Sequence, residues 1–272
     1  MVGIIEAIGE GVDEKWLGKR VAGFTRFGGY AEYAVTMELG VVEIGDMDMG
    51  VATCMVTQGA TAYYMAYEQL NLFPGDKVMI HAGAGGVGSL LIQLCKRKGC
   101  EVYANAGSDE KLNFMKELGA DYVMNYRKED YAEVLPKVLA GDRLDATFNP
   151  IAGKTFKKDF KLIGAGGSVV LFGGSELSGG GFFKKLSFIW SMGLLLPIGL
   201  MMRSKSVLGT NMLKIGDNKT QTLNRCLNEV VKLVQSGELK PHVGHTFNAS
   251  DIAKAHDLLE SRKTMGKVVV KW

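Results

Sequence analysis

The sequence predicts an α/β fold, a doubly wound parallel sheet joined to a smaller β domain. Three observations lead there. From about residue 52, short apolar runs alternate with helical patterns, as parallel strands buried on both faces require. One such run, Lys77-Val78-Met79-Ile80-His81-Ala82, leads through a glycine cluster directly into an apolar helix. Glycine is abundant at 36 residues against 5 prolines, a balance suited to tight strand-to-helix turns rather than a flexible polymer.

Taken in order, residues 1 to about 47 alternate apolar with small or polar side chains between glycines. Val2 to Gly9 and Tyr30 to Val35 read as short antiparallel strands. Parallel strands are expected at Lys77–Ala82, Glu101–Ala106, Tyr122–Met124, Leu144–Phe148, Ser168–Phe172 and Ser206–Gly209. Helices are expected at Val87–Lys98, Asp109–Leu118, Glu129–Leu139 and Thr155–Leu162. The tail reads as a helix over Thr220–Ser236, a strand Val243–Phe247, a helix from Asp251 and a final strand Lys267–Lys271. The pattern divides the chain into residues 1–51, a nucleotide-binding part 52–210, and a return 211–272 to the first part.

Composition narrows the function. With 47% hydrophobic and 22% charged residues the chain is neither disordered nor a disulfide scaffold, and 32 basic against 29 acidic residues give no field that argues for nucleic acid. Cys54, Cys95, Cys100 and Cys226 form no CxxC pair, which fits a reducing, cytoplasmic location and no metal. Met1 to Glu10 does not read as a signal peptide. The uncharged stretch Leu186–Met202 is at the short limit for a membrane span and contains Pro197. It reads as buried core or subunit interface, with weak membrane association as the lesser alternative.

The chemistry concentrates at Gly83-Ala84-Gly85-Gly86-Val87-Gly88, a G-x-G-x-x-G between strand and helix. Gly83 permits the tight turn, Gly85 lets a pyrophosphate approach the backbone, and Gly88 lets helix and strand pack closely. The helix amides and its positive end then face the phosphates. A dinucleotide site follows. The second strand ends Tyr103-Ala104-Asn105-Ala106-Gly107-Ser108 without the acid that would bind an NAD ribose, and Asp109 reads as a first-turn helix acid. Lys111 and Arg127 could neutralise a 2′-phosphate, so NADPH is the expected coenzyme.

These residues resemble the zinc-independent quinone oxidoreductase branch of the medium-chain dehydrogenase/reductase superfamily. The likeness is carried by GIIEAIGEGV, GKRVAGF, FGGYAEYA, GATAYY, FPGDKVMIHAGAGGVG, GADYVMNYRKEDY, GGSVVLFGG and MGKVVVKW, in that order. LMMRSKSVLGTNM and ELKPHVGHTF are most similar to its vesicle amine transport protein group.

The resemblance implies a Rossmann sheet and a partial GroES-like domain lacking about sixty amino-terminal residues. It implies that Thr61 lies near the nicotinamide half and that Gly83, Gly85, Gly86, Val87 and Gly88 hold the pyrophosphate. It sets Lys111 and Tyr126 at the 2′-phosphate, with Asn149, Phe172, Gly173 and Asn211 along the path to the nicotinamide. Ala106 stands where NAD-using relatives carry their ribose-binding acid. No cysteine lies between Val21 and Ala34, where the family's structural zinc lobe would be. Cys54 reads as a core thiol and the pair His242 and His245 as structural.

The implied activity is NADPH-dependent, zinc-independent reduction of a hydrophobic quinone or enone in a homodimer. Tyr30 and Tyr63 are candidate pocket hydroxyls, and Phe182 to Met202 a candidate cover for the cleft or dimer contact. The alternative is a coenzyme-binding, vesicle-associated scaffold without turnover.

Overall fold

In a computed structural model, residues 1–173, 190, 192, 193 and 195–272 are described. The chain divides into two units, one of Met1–Tyr64, Gly85–Leu90 and Met212–Trp272, the other of Met65–Ala84 and Leu91–Asn211.

The first unit contains an antiparallel sheet in the order β1 (Val2–Ile4), β2 (Arg20–Gly23), β3 (Val41–Glu43). Tyr30 to Val35, expected as a strand, is irregular. Alternation makes a strand only where a neighbour supplies the ladder, and here the side chains stand in solvent, with Val35 96% exposed. The strand expected from Val2 to Gly9 ends at Ile4.

A helical segment missed in the sequence runs from Met49, with α-helical turns at Met49–Cys54 and Ala60–Tyr63 and π-helical turns at Met55–Gly59 and Tyr64–Gln69. Its turns Met55–Gly59 and Ala60–Tyr63 pack on the amphipathic helix Thr220–Gln235, which buries Leu223, Leu227, Val230 and Val231.

The second unit is a six-stranded, wholly parallel sheet built from β4 (Lys77–Ile80), β5 (Glu101–Ala106), β6 (Tyr122–Asn125), β7 (Leu144–Asn149), β8 (Ile163–Phe172) and β9 (Ser206–Thr210). Its order is β6-β5-β4-β7-β8-β9. This is the doubly wound arrangement, and the order reverses between β4 and β7, where such sheets open a ligand crevice. Burial explains the apolar runs: β4 and β5 hide every residue after their first. Met79, Tyr103, Met124, Leu135, Leu144, Phe156, Leu162 and Val169 share one core against helices Tyr131–Val138 and Lys154–Leu162.

The chain closes with β10 (Val243–Asn248) and β11 (Lys267–Lys271), a parallel pair in the first unit joined through helix Ile252–Glu260. No helix of the described residues is long and apolar enough to cross a membrane. Of the candidate cover Phe182 to Met202, residues 182–189, 191 and 194 lie outside the described residues.

A Cβ on Gly59 would come 2.9 Å from Cγ1 of the buried, stiff Val230. In a free helix Gly→Ala stabilises by about 0.5–1 kcal/mol, whereas overpacking costs about 1–3 kcal/mol. Gly59→Ala is therefore expected to destabilise by about 1 kcal/mol in urea unfolding; a stability gain would contradict this packing.

Candidate functional site

The glycine run begins with a turn that its neighbours hold from several sides. After β4, Ala82 takes a left-handed backbone, φ 53°, which is costly for a residue with a Cβ. Its N–H donates to Asn105 Oδ1 at 3.2 Å, and the Gly83 N–H donates to the Asn105 carbonyl at 3.0 Å. Gly83 has no room for a side chain: a Cβ would sit 2.5 Å from Met115 Sδ and 3.1 Å from the Ala104 Cβ. The glycine that the sequence assigns to a tight turn is thus also a close approach between β4 and its neighbours.

Gly86, Val87 and Gly88 form the first turn of helix Gly86–Arg97, where helical geometry leaves amides without intrahelical acceptors. Gly85 makes a parallel bridge to Gly266. A Cβ on Gly86 would lie 2.2 Å from Gln58 Nε2, so the Gln58 amide rests against bare backbone. Gln58 Oε1 is buried with no hydrogen-bond partner among the described residues. A buried acceptor in that condition is uncommon and is satisfied when a donor arrives. Sequence reasoning missed Gln58, for it lies in no motif; its nearness to GATAYY was the only signal.

Thr61 is buried, and its hydroxyl donates to the Thr57 carbonyl at 2.5 Å. Tyr63 is half-buried two residues on. Tyr30 is 61% exposed and lies edge-on to His256 at 5.6 Å between ring centroids. Tyr30, Thr57 and Gln58 line one open groove of the first unit, about 1740 Å³ in volume.

At the end of β5 the second unit gathers the other expected residues. Tyr126 Oη and Arg127 Nε lie over Gly107, 2.6 and 3.2 Å from where its Cβ would be. Lys111 is half-buried nearby, and its ammonium is held below the usual lysine range by burial and then by the charge of Arg127, with Glu110 opposing. Asp109 opens helix Asp109–Glu117 and is engaged by Lys128 at 2.7 Å and Asn125 Nδ2 at 3.1 Å. The hydrogen bond from Lys128, more than anything else, keeps its carboxyl below the ordinary range. The acid nearest the ribose position therefore has cationic company already.

Asn149 lies fully buried at the end of β7. Its Oδ1 accepts from the N–H groups of Ile151 and Ala152 at 2.9 and 2.8 Å, and its Nδ2 donates to Asp159 at 2.6 Å. These bonds make it a turn-former. Phe172 ends β8 and is buried, Gly173 follows with φ 77°, and Asn211 is exposed just after β9.

A family model, zinc-binding dehydrogenase, matches residues 86–229. The chain belongs to the zinc-binding dehydrogenase family. It is similar to a highly-reducing polyketide synthase 1 of Aureobasidium melanogenum, 28% identical over 98% of this chain and 12% of the synthase. It is also similar to the synaptic vesicle membrane protein VAT-1 homolog of Danio rerio, 25% identical over 98% of this chain and 56% of that one. The chain therefore spans only part of these curated relatives. Among solved structures it resembles the Escherichia coli quinone oxidoreductase complexed with NADPH, 25% identical, TM-score 0.84, over 99% of this chain and 80% of that chain.

Although the family carries zinc in its description, among the described residues no group of three or more His, Cys, Asp or Glu side chains is placed to hold a metal. His245 lies beside Phe247, ring centroids 6.4 Å apart. Cys54 is a buried thiol with Sγ 3.4 Å from the Gly50 carbonyl, and burial pushes it up to about 11. Burial likewise pushes Cys100 up to about 11 and Cys95 well above its usual value. At pH 8 a thiol of that kind is about one part in a thousand thiolate. Ellman's reagent at pH 8 is expected to leave all four cysteines of the native chain unmodified over minutes and to titrate four after denaturation; a rapid native equivalent would show that one is accessible.

Proposed function

We propose that this chain binds NADPH and reduces quinones or α,β-unsaturated carbonyls by hydride transfer, without zinc. The single observation that carries the reading is that Tyr126 and Arg127 lie over Gly107, at the strand end where an NAD enzyme needs an acid, with Lys111 within electrostatic reach of Arg127. Two cations so close repel each other, and an anionic phosphate would relieve that repulsion while accepting hydrogen bonds from Lys111, Arg127 and Tyr126.

The rest of the chain fits the same coenzyme. Gly83 closes the turn against Met115 and Ala104, Gly85 is our position for the close approach of a pyrophosphate, and the first turn of helix Gly86–Arg97 offers amide donors. Gln58 Oε1, the buried orphan beside Gly86, would accept from a ribose hydroxyl or the carboxamide. Thr61 is our residue for the nicotinamide half, and Phe172, Gly173 and Asn211 for the path leading to it. Asn149 acts through the turn that it holds.

When bound, NADPH supplies hydride to an electron-poor carbon of the acceptor. The chain would contribute orientation and exclusion of water; Tyr30, which lines the groove of the first unit, and Tyr63, which is outside its lining, are our candidate hydroxyls. The quinone reading is supported by the likeness to an oxidoreductase of that substrate class, and the enone reading by the chemistry the two acceptors share. In our reading residues 1–51 and 211–272 form a partial GroES-like catalytic domain and 52–210 the Rossmann domain. The likeness to a vesicle membrane protein keeps the scaffold reading as the rival.

The purified chain is expected to oxidise NADPH when an ortho-quinone is added, with NADH much slower. Lys111→Ala is expected to weaken NADPH about tenfold, the effect of one charge-assisted hydrogen bond near the surface, and NADH less than about twofold. Tight NADPH binding with no acceptor-dependent oxidation would favour the scaffold. Equal losses for both coenzymes in Lys111→Ala would remove Lys111 from the 2′-phosphate.

A further inference from the structure

A chain of fully buried polar side chains lies beneath the start of the glycine run, wholly within the second unit. His81 is 1% exposed, Asn105 2%, Asn149 and Asp159 0%. From the turn inward, the Ala82 N–H donates to Asn105 Oδ1 at 3.2 Å, Asn105 Nδ2 is 3.0 Å from His81 Nδ1, and His81 Nε2 is 2.9 Å from Asp159 Oδ1. Asp159 also receives the Tyr131 hydroxyl at 2.8 Å and Asn149 Nδ2 at 2.6 Å.

Directions in this chain are forced. A backbone N–H only donates, so the atom of Asn105 facing Ala82 must be its oxygen, and the atom facing His81 must be its amide nitrogen. That nitrogen donates, so His81 Nδ1 must accept. The ring proton therefore sits on Nε2, aimed at the Asp159 carboxylate, which cannot donate when ionised. Every hydrogen bond from Ala82 to Asp159 has one allowed sense, and it ends on the turn that carries the left-handed Ala82.

We propose that Asn105, His81 and Asp159 are positioning residues for the coenzyme, a relay of fixed hydrogen-bond direction that holds Ala82 left-handed and so aims Gly83 and the run that follows. The inference rests on the NADPH reading above, and it adds residues with no coenzyme contact of their own. The side chains turn toward the sheet interior, and it is the backbone at Ala82 and Gly83 that they set. Glycine adopts the left-handed region without penalty, so a glycine at 82 makes the relay partly dispensable.

Two measurements test it. Nitrogen-15 spectra of the imidazoles in the whole chain are expected to show His81 protonated at Nε2 and bare at Nδ1 near neutral pH. NADPH affinity, read by titration at a temperature where each variant is folded by circular dichroism, is expected to fall about tenfold in Asn105→Ala and to recover most of that loss in Asn105→Ala combined with Ala82→Gly. A general loss of packing gives no reason for recovery on adding a second substitution. A His81 proton on Nδ1, or a double variant as weak as Asn105→Ala alone, overturns the relay. Absence of NADPH binding in the unaltered chain would defeat the coenzyme reading and with it the relay's role, whereas the imidazole spectrum judges the relay's direction whether or not coenzyme binds.

Discussion

A carboxylate with no access to water is the constraint on which the second unit is organised. Asp159 is 0% exposed, and a buried charge is tolerable only if hydrogen bonds replace its hydration. Three side chains supply them: His81 from the end of β4, Asn149 from the end of β7, and Tyr131 from the start of helix Tyr131–Val138. Burial, followed by the charge of Asp159, drives the Tyr131 hydroxyl far above its ordinary range, so Tyr131 acts only as a donor. Removing one partner from such a group costs about 3–5 kcal/mol, more than most apolar contacts contribute singly.

The position of that carboxylate gives it functional weight. β4 and β7 are neighbours at the point where the sheet order reverses, and the crevice of a doubly wound sheet opens at the carboxyl ends of those two strands. The loops after these two strands, Ala82–Gly83 after β4 and Asn149–Gly153 after β7, both contain left-handed alanines, Ala82 and Ala152. Each is held by an asparagine, Asn105 in one case and Asn149 in the other, and both asparagines lead back to Asp159. One buried charge is thereby joined by hydrogen bonds to both of these turns.

Much of this was legible in the sequence because burial writes it there. Strands hidden on both faces must be apolar throughout, so β4, β5 and β7 were placed within a residue or two. The G-x-G-x-x-G run carries its own mechanism. Less was legible where a partner decides the outcome. Tyr30 to Val35 alternates like a strand but meets no ladder, and the helical segment from Met49 shows small residues such as Gly59 because a second helix lies close to it. His81, Asn105 and Asp159 stand far apart in sequence in no motif, and their relation exists only once β4, β5 and helix Lys154–Leu162 are assembled. Gly107 read as part of a strand end; that it gives way to Tyr126 and Arg127 is a fact of three dimensions.

The proposal that NADPH binds at the glycine run and at the residues around Gly107 is open to one direct measurement. Hydrogen–deuterium exchange of the chain with and without NADPH addresses it most directly, since it reports on the backbone of every segment at once. The account predicts slowed exchange concentrated at residues 82–88 and 107–111 and around Arg127. Unchanged exchange there, with protection confined to the groove around Tyr30 or to no segment at all, would contradict it.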